Sequence, residues 1–448
     1  MKNTKIKWTV AGALASVAFG TSAIAQSSDA LLDKLVEKGI LTTKEANELK
    51  EETDKGFTTA YQVKSGMPDW VTALKFNGDF RGRFEGFYAE NPAFVDRNRF
   101  RYRVRFGATA TLQDDFEIGL RLSSGDPVGG FSVNSGNPVS GNTTLQDNAS
   151  RKFIYVDLAY AKWAPIHTPE WSGSATFGKM ENPFVFSHIV LDPDYNPEGL
   201  ALQLAYNINA EHSLKLNAGA FVLDELAASS NDPFFGAAQL RFDSTWNKKI
   251  ATSLGVSALA IKNKQNLNNG NVPNVNRGNT RDLSGAPVRN FNPIVGDASL
   301  TYTLESFPAY TGAFPIKAGG DFLYNGGAES KNKAFSAGVT FGKAGKKGLW
   351  EISYQYRYLG ADSWYEELPD DDFGGFYVQQ QPNAGFAAPG AGYGGGTNLR
   401  GHFIKASYSP YDSMAFSVTY YNAKLIDPDP TGSRTSIGHL LVDVMWKF

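Results

Sequence analysis

Arginine occupies positions 97, 99, 101, 103 and 105 of the stretch RNRFRYRVRF, and Phe100, Tyr102, Val104 and Phe106 fill the gaps. A guanidinium stays charged at physiological pH, and its planar fork grips carboxylate or phosphate through paired N–H donors. A period of two sends successive side chains to opposite faces of a β-strand. As a helix the same arginines would spiral around the whole circumference. The stretch is therefore a strand with one cationic face and one apolar face, continued by Thr109 and Thr111 on one side and Ala108, Ala110 and Leu112 on the other. Arg81, Arg83 and Arg121 on the flanking strands widen the cationic face, interspersed with Asp79, Glu85 and Glu117. Arginines two positions apart along a strand repeat every ~6.6 Å. At ~7 Å in water two like charges repel by only ~0.6 kcal/mol, so a wet wall tolerates the row. Two arrangements fit. In one, Arg81, Arg83, Arg99, Arg101, Arg103, Arg105 and Arg121, tempered by Glu85 and Glu117, form a pore wall that favours anions. In the other, the same arginines pair with inward-facing acids and fill the wall.

Such a strand needs neighbours of the same two-faced kind, and the chain supplies them. Leu74, Phe76, Phe80, Phe84 and Tyr88 share a face with Gly78, Gly82 and Gly86, opposite Lys75, Asp79, Arg81, Arg83 and Glu85. Phe116, Ile118, Leu120 and Leu122 alternate with Glu117 and Arg121. Segments of about ten residues, enough for a tilted strand to cross a bilayer, recur along the chain. They fall near 152–163, 172–180, 198–208, 212–223, 235–245, 250–262, 296–305, 314–324, 334–342, 348–359, 399–409, 413–424 and 436–448. With the first three they make sixteen, and single-chain bacterial barrels need an even number. The expected fold is all-β: an antiparallel transmembrane β-barrel of about sixteen strands over 71–448, preceded by a short helical segment.

The connections sort by length, as a barrel inserted from one side requires. Short ones at 113–115, 209–211, 246–249 and 409–412 belong inside, with longer inside turns at 164–171 and 306–313. Long ones at 89–98, 124–151, 181–197, 224–234, 263–295, 325–333, 360–398 and 425–435 belong outside. The last strand carries Leu440, Val442, Val444, Trp446 and Phe448 in one apolar row and ends on Phe. Asp370, Asp371 and Asp372 read as a solvated outer face.

The ends and the composition set the compartment. Lys2, Lys5 and Lys7, the apolar run Val10 to Gly20 and Ala23-Ile24-Ala25 form a secretory signal peptide over 1–25, so the mature chain is expected to begin at Gln26. Its removal moves the formal charge from −2 to −5, which argues against a nucleic-acid partner. The chain has no cysteine, so disulfides and thiolate metal sites are excluded. A mean hydropathy of −0.31 suits a barrel, in which half of every strand is polar. Residues 27–54 read as two short helices, with Leu31, Leu32, Leu35 and Val36 at helical spacing and Thr42 with Glu45 as a capping box. In a 26–70 periplasmic segment their apolar stripe is suited to a periplasmic contact or to local self-packing.

Three stretches carry a family resemblance: 97–126, 144–163 (TLQDNASRKFIYVDLAYAKW), and 177–204, with FGKMENPF followed by DPDYNPEGLALQL. Together with LLDKLVEKGILTTKEANEL before the barrel, they resemble the putative porin family of Gram-negative outer membranes, over the N-terminal half above all. The resemblance implies a pore in the outer membrane, contact with lipid and lipopolysaccharide, a homotrimer, and passive diffusion of small solutes or ions, without naming the solute. The third outside connection is then the candidate to fold inward and narrow the pore, bringing Glu181, Asp192, Asp194 and Glu198 opposite the arginines. Acids there would keep any anion preference mild. Asp192-Pro193-Asp194-Tyr195-Asn196-Pro197-Glu198-Gly199 also has oxygen ligands at alternate positions, as calcium loops do. Two prolines and the lack of a Gly at the sharp turn depart from that pattern, and an Asx-turn loop is the alternative. No metal or cofactor is expected. His167, His188, His212, His402 and His439 are scattered, and no G-x-S-x-G, H-E-x-x-H or P-loop pattern occurs, so an enzyme is not expected. The alternative to a channel is a structural or adhesive barrel without a transport role, which single-channel conductance distinguishes.

Overall fold

Sixteen barrel strands are present among the described residues of the computed structural model, which are 66–90, 96–127, 135–374, 395–428 and 436–448. The signal peptide and the helices expected over 27–54 lie outside them. The chain divides into compact units at Met1–Thr72 and Ala73–Phe448, and the second holds the barrel.

The strands are β1 (Val71–Ala89), β2 (Arg97–Leu112), β3 (Phe116–Gly125) and β4 (Phe153–His167). Then come β5 (Trp171–Lys179), β6 (Glu198–Asn207), β7 (His212–Val222) and β8 (Phe234–Thr245). Next are β9 (Ile250–Lys262), β10 (Pro293–Leu304), β11 (Phe314–Asn325) and β12 (Lys333–Gly342). The last four are β13 (Trp350–Leu359), β14 (Leu399–Tyr411), β15 (Met414–Leu425) and β16 (Ser436–Lys447). Each pairs antiparallel with its sequence neighbours, and β16 returns to β1 from Asp79↔Lys447 to Ala89↔Ile437. No edge is left open, as a bilayer demands of backbone N–H and C=O groups. A two-residue strand, Thr143–Thr144, lies outside the sixteen and pairs with β2 at Arg101 and Tyr102.

Parity assigns the faces as the alternation predicts. Phe100, Val104 and Phe106 are exposed on the outer surface, and Phe76–Phe106 and Phe80–Tyr102 stack across β1 and β2. Val442, Trp446 and Phe448 are exposed on the same side. The connections alternate as expected. The inside turn expected at 164–171 is shorter than the sequence suggests. A register shift between Trp163 and Ile166 carries β4 on to His167 and leaves only 168–170 to turn. At the 113–115 turn, Asp114 and Asp115 both adopt left-handed backbone (φ 58 and 65), the conformation a tight hairpin of this hand needs.

Gly178 and Gly199 face each other where β5 and β6 open into the 180–197 connection. Gly178 sits at φ +117, and a Cβ there would lie 2.3 Å from the Ala159 carbonyl oxygen. The closing seam carries Arg83 Nε and Nη2 bidentate on Asp443 at 2.7 and 2.9 Å, with both side chains largely buried.

Two outcomes follow from this geometry. Asp443→Ala removes the bidentate partner of a buried guanidinium, leaving it only the longer contact to Asp372, and is expected to cost about 3 kcal/mol. It should lower the temperature at which the folded, SDS-resistant barrel converts to the slow-migrating form; an unchanged transition would show that the seam does not rely on this pair. Gly178→Val is expected to cost about 1–3 kcal/mol through backbone strain, read by urea titration in lipid vesicles, with Gly82→Ala, where a Cβ meets nothing within 4 Å, near neutral.

Candidate pore constriction

The arginine row points into the barrel, and it is not a bare cationic wall. Arg103 donates to Asp194 at 3.0 Å and to Asp79 at 3.2 Å, and Arg105 Nε donates to the other Asp79 oxygen at 2.7 Å. Arg99 pairs with Glu85, and its guanidinium lies over the Phe87 ring. Arg101 lies 3.5 Å from Glu85 and 3.6 Å from Asp126, and donates to the Asn142 carbonyl at 3.0 Å. Arg83 adds Asp372 at 3.3 Å to Asp443, and Arg121 bridges Asp157 and Glu181 at 2.5 and 2.7 Å. Arg81 differs: it donates to the Asn142 side chain at 2.7 Å, and its Nε has no hydrogen-bond partner among the described residues. The net positive wall expected from the strands alone is corrected here. Asp126, Asp194 and Asp372 arrive from loops, and Asp157 and Asp443 from the adjoining strands β4 and β16. Glu117 is not a counter-charge in contact with the row either; it accepts from the Tyr160 hydroxyl at 2.8 Å.

The 180–197 connection folds into the lumen and is fastened to three walls. At β2, Asp194 meets Arg103 and Arg105. At β8, Val185 N–H donates to Gln239 Oε1 at 2.9 Å, and Gln239 Nε2 donates back to the Val185 carbonyl at 2.9 Å. At β13, Arg357 donates to His188 Nδ1 at 3.3 Å. Asp192 Oδ1 accepts the Asp194 N–H at 2.7 Å, an Asx turn that stiffens the segment carrying Asp194. The calcium-loop alternative is corrected as well: Asp194 turns to the arginines, while Glu198 opens β6 and pairs with Lys179 at 2.9 Å. Glu198 therefore does not oppose the arginine row as expected, and Glu181 reaches it only through Arg121.

A second crossing was not legible in the sequence. Residues 360–374 also enter the lumen and hydrogen-bond to the first crossing: Asp192 N–H to the Leu368 carbonyl at 2.7 Å, Asp370 N–H to the His188 carbonyl at 2.9 Å, and Trp364 Nε1 to the Val190 carbonyl at 2.9 Å. Asp370, Asp371 and Asp372, expected on a solvated outer face, are instead inside the barrel. Asp370 is buried against Arg357 at 2.6 Å, and Asp372 touches Arg83. The carboxylates of Asp192, Asp370 and Asp371 lie within 4.8 Å of one another. Burial and the neighbouring Asp371 and Asp370 push the Asp192 carboxyl well above the usual carboxylate range. Burial, Asp372 and Asp370 push Asp371 up to about 7 against Arg277. Burial also raises Asp194, but Arg103, Arg81 and Arg105 hold it below its ordinary value. The arginines therefore favour the ionised form of Asp194, and the three clustered carboxylates disfavour one another's ionisation.

Apolar packing completes the crossing. Ile189, Val190 and Leu191 are buried with Trp364, Leu368, Phe235 and Phe291, and Trp364 meets both phenylalanine rings edge-on. Two polar cavities flank the 180–197 segment. One, of about 340 Å³, lies at the β2–β4 wall beside Arg103, Arg105, Asp157 and Asp194. The other, of about 450 Å³, lies at the β8–β14 wall. Gly319, Gly338, Ser299 and Ser353 widen the second, and Lys317, Lys405 and Glu351 line it without an ion-pair partner among the described residues. These three and Arg357 lie on β11, β13 and β14 and share the inward parity, which is the signal that could have found them.

Residues 89–283 match the protein family described as Putative porin. No curated protein matches the chain. Among solved structures, OprB of Pseudomonas putida is 13% identical with a TM-score of 0.50, over 88% of this chain and 97% of that one. OccK8 (OprE) of Pseudomonas aeruginosa is 10% identical with a TM-score of 0.44, over 85% and 99%. The outer membrane channel DcaP of Acinetobacter baumannii is 13% identical with a TM-score of 0.42, over 84% and 97%. The likeness to OprB is one of fold. The family match over 89–283 and the closed sixteen-strand barrel together support an outer-membrane channel for small solutes.

Proposed function

We propose that the chain forms a passive, water-filled diffusion channel whose size limit is set by the paired crossings at 180–197 and 360–374. The observation that carries this reading is the fastening of the first crossing to β2, β8 and β13, with a polar cavity on either side. The arginine row then holds the constriction in place and lines one flank of it. Because Arg83, Arg99, Arg101, Arg103, Arg105 and Arg121 each meet a carboxylate, their contribution to anion preference is small. The mild preference rests instead on Lys317 and Lys405, whose charges face water, offset in part by Glu351. Small hydrophilic solutes or ions suit such a passage. The channel reading, rather than an adhesive or enzymatic one, also includes assembly as a homotrimer in the outer membrane.

Reconstitution in a planar bilayer tests this reading, and a barrel that conducts no ions would refute it. Arg103→Ala removes a charged hydrogen-bond anchor worth about 2 kcal/mol from the crossing. It is expected to raise single-channel conductance and current noise while the barrel still migrates as a folded species. Lys317→Ala with Lys405→Ala is expected to move the zero-current potential in a salt gradient toward cations. The shift should exceed that of Arg101→Ala with Arg103→Ala; the reverse order would return selectivity to the arginine row.

A further inference from the structure

The wall behind the larger cavity is built in levels, because the inward residues of β10–β14 fall into register. At the level nearest the outside, Asp297, Asp321, Ser336 and Arg357 are consecutive register partners on β10 to β13. Two residues closer to the periplasm the level is Ser299, Gly319, Gly338 and Gln355. Two residues further it is Lys317, Thr340, Ser353 and Lys405, now on β11 to β14. All but Ser336 line the cavity of about 450 Å³, a volume that suits a small solute. The outer and inner levels carry opposite unclaimed charges. At the outer level each guanidinium already has a carboxylate: Arg241 reaches Asp297 at 2.8 Å, and Arg357 reaches Asp370 at 2.6 Å. Asp321 is left over. It stands directly opposite Asp297, where like charges disfavour each other. Its Oδ1 accepts from the Ser336 hydroxyl, and its Oδ2 is buried beside the Ser187 hydroxyl of the first crossing without a close hydrogen bond. At the inner level Lys317 and Lys405 have no ion-pair partner among the described residues, and Glu351, two residues nearer the periplasm than Ser353, offsets part of their charge. Asp321 and Lys317 are four residues apart on β11, which is ~13 Å along the strand, and the lysine stem spans part of that. The level between them carries no charge and has bare backbone at Gly319 and Gly338.

An anion drawn to the two lysines meets Asp321 at the other end of the cavity, and a cation drawn to Asp321 meets the lysines. A simple ion of either sign is therefore favoured at one end only, whereas a solute with opposite charges at its two ends is favoured at both. We propose that this cavity is a transient binding site for linear zwitterions of about dipeptide length, with the amine toward Asp321 and the carboxylate toward Lys317 and Lys405. The amine donates to the free oxygen of Asp321, and the carboxylate accepts charge-assisted hydrogen bonds from the two ammonium groups. The body of the solute crosses the level of Gly319 and Gly338, where the Ser299 hydroxyl and the Thr340–Ser353 hydroxyl pair, 3.1 Å apart, meet its polar atoms. Ser187 and His188 of the first crossing line the same cavity, so the site lies on the route past the constriction. Lys317 is exposed, which keeps the grip weak enough for the solute to leave. The proposal rests on the diffusion-channel reading and names the solute class that its passage favours.

Single channels of the folded protein in a planar bilayer, titrated with glycylglycine, N-acetylglycylglycine or glycylglycinamide, test it. The three share one backbone, and the last two keep only the carboxylate or only the amine. Glycylglycine should lower the mean salt current with a half-blocking concentration about tenfold below that of either analogue, which is the loss of one charge-assisted contact. Asp321→Asn should abolish the preference over N-acetylglycylglycine, and Lys317→Gln with Lys405→Gln the preference over glycylglycinamide. Lys162→Gln, which removes a lysine lining a separate cavity at the β4–β7 wall, should keep both preferences. Equal block by the three solutes, preferences that survive Asp321→Asn and the double lysine variant, or their loss in Lys162→Gln would each overturn the site. Salt conductance read on the same channels verifies the fold of each variant and separates the two failures. A conducting channel that ignores the zwitterion sinks the site alone, and a barrel that conducts nothing sinks the channel reading as well.

Discussion

A strand inside a bilayer has no water to satisfy its backbone, so every N–H and C=O must find its partner along the chain itself. That constraint closes β16 onto β1 and removes every edge. Closure in turn fixes parity: once the ring is shut, an even-numbered residue of β2 has no choice but lipid and an odd-numbered one no choice but lumen. Phe100, Val104 and Phe106 go one way, and Arg99, Arg101, Arg103 and Arg105 go the other. The cationic row inside the barrel is thus a consequence of the same alternation that lets β2 touch lipid at all.

The row cannot then stay as it is. Like charges a few ångströms apart are tolerable in bulk water, but their repulsion grows as loops displace that water and lower the effective dielectric. The chain answers with carboxylates from three sources. Asp79 and Asp443 come from the neighbouring strands, Asp157 from β4, and Asp194 and Asp372 from the crossings. The wall and the constriction are therefore one charge network. The crossing enters the lumen because the arginines favour its acid there, and the arginines are tolerated there because the crossing enters.

This explains what could be read from the sequence and what could not. Strand positions, their parity and the alternation of connection lengths are local properties, and they were legible to within a few residues. The exception, the turn after β4, comes from a register shift at Trp163–Ile166 that alternation does not encode. Asp194 was legible as an acid on an inward-folding loop. Asp370 and Asp372 were not, because three consecutive aspartates in a Gly- and Pro-rich connection read as solvated, and only long-range contacts with Arg357, Arg83 and the first crossing bury them. The pairing of the arginines was invisible for the same reason: Arg83 and Asp443 are 360 positions apart in the chain and adjacent only because the barrel closes. The apolar packing of the crossing could not be foreseen either, since Ile189, Val190 and Leu191 look like a strand fragment until Trp364 arrives.

The crossings also divide labour inside the lumen. Arg281 and Glu366 are paired with no exposure at all, Thr280 holds Asp362 at 2.9 and 2.8 Å, and Trp364 packs on Phe235 and Phe291. This is a small protein core built inside a barrel, and its residues answer to packing and burial. A change there alters the shape of the passage, whatever its charge. Lys317, Lys405 and Glu351 stand outside that core, on strand backbone that closure holds rigid, with small residues around them. A change there alters the field in the passage and leaves its shape alone. Size and charge selectivity are in this way carried by different residues, the first by loops that hold one another and the second by the wall that closure makes rigid.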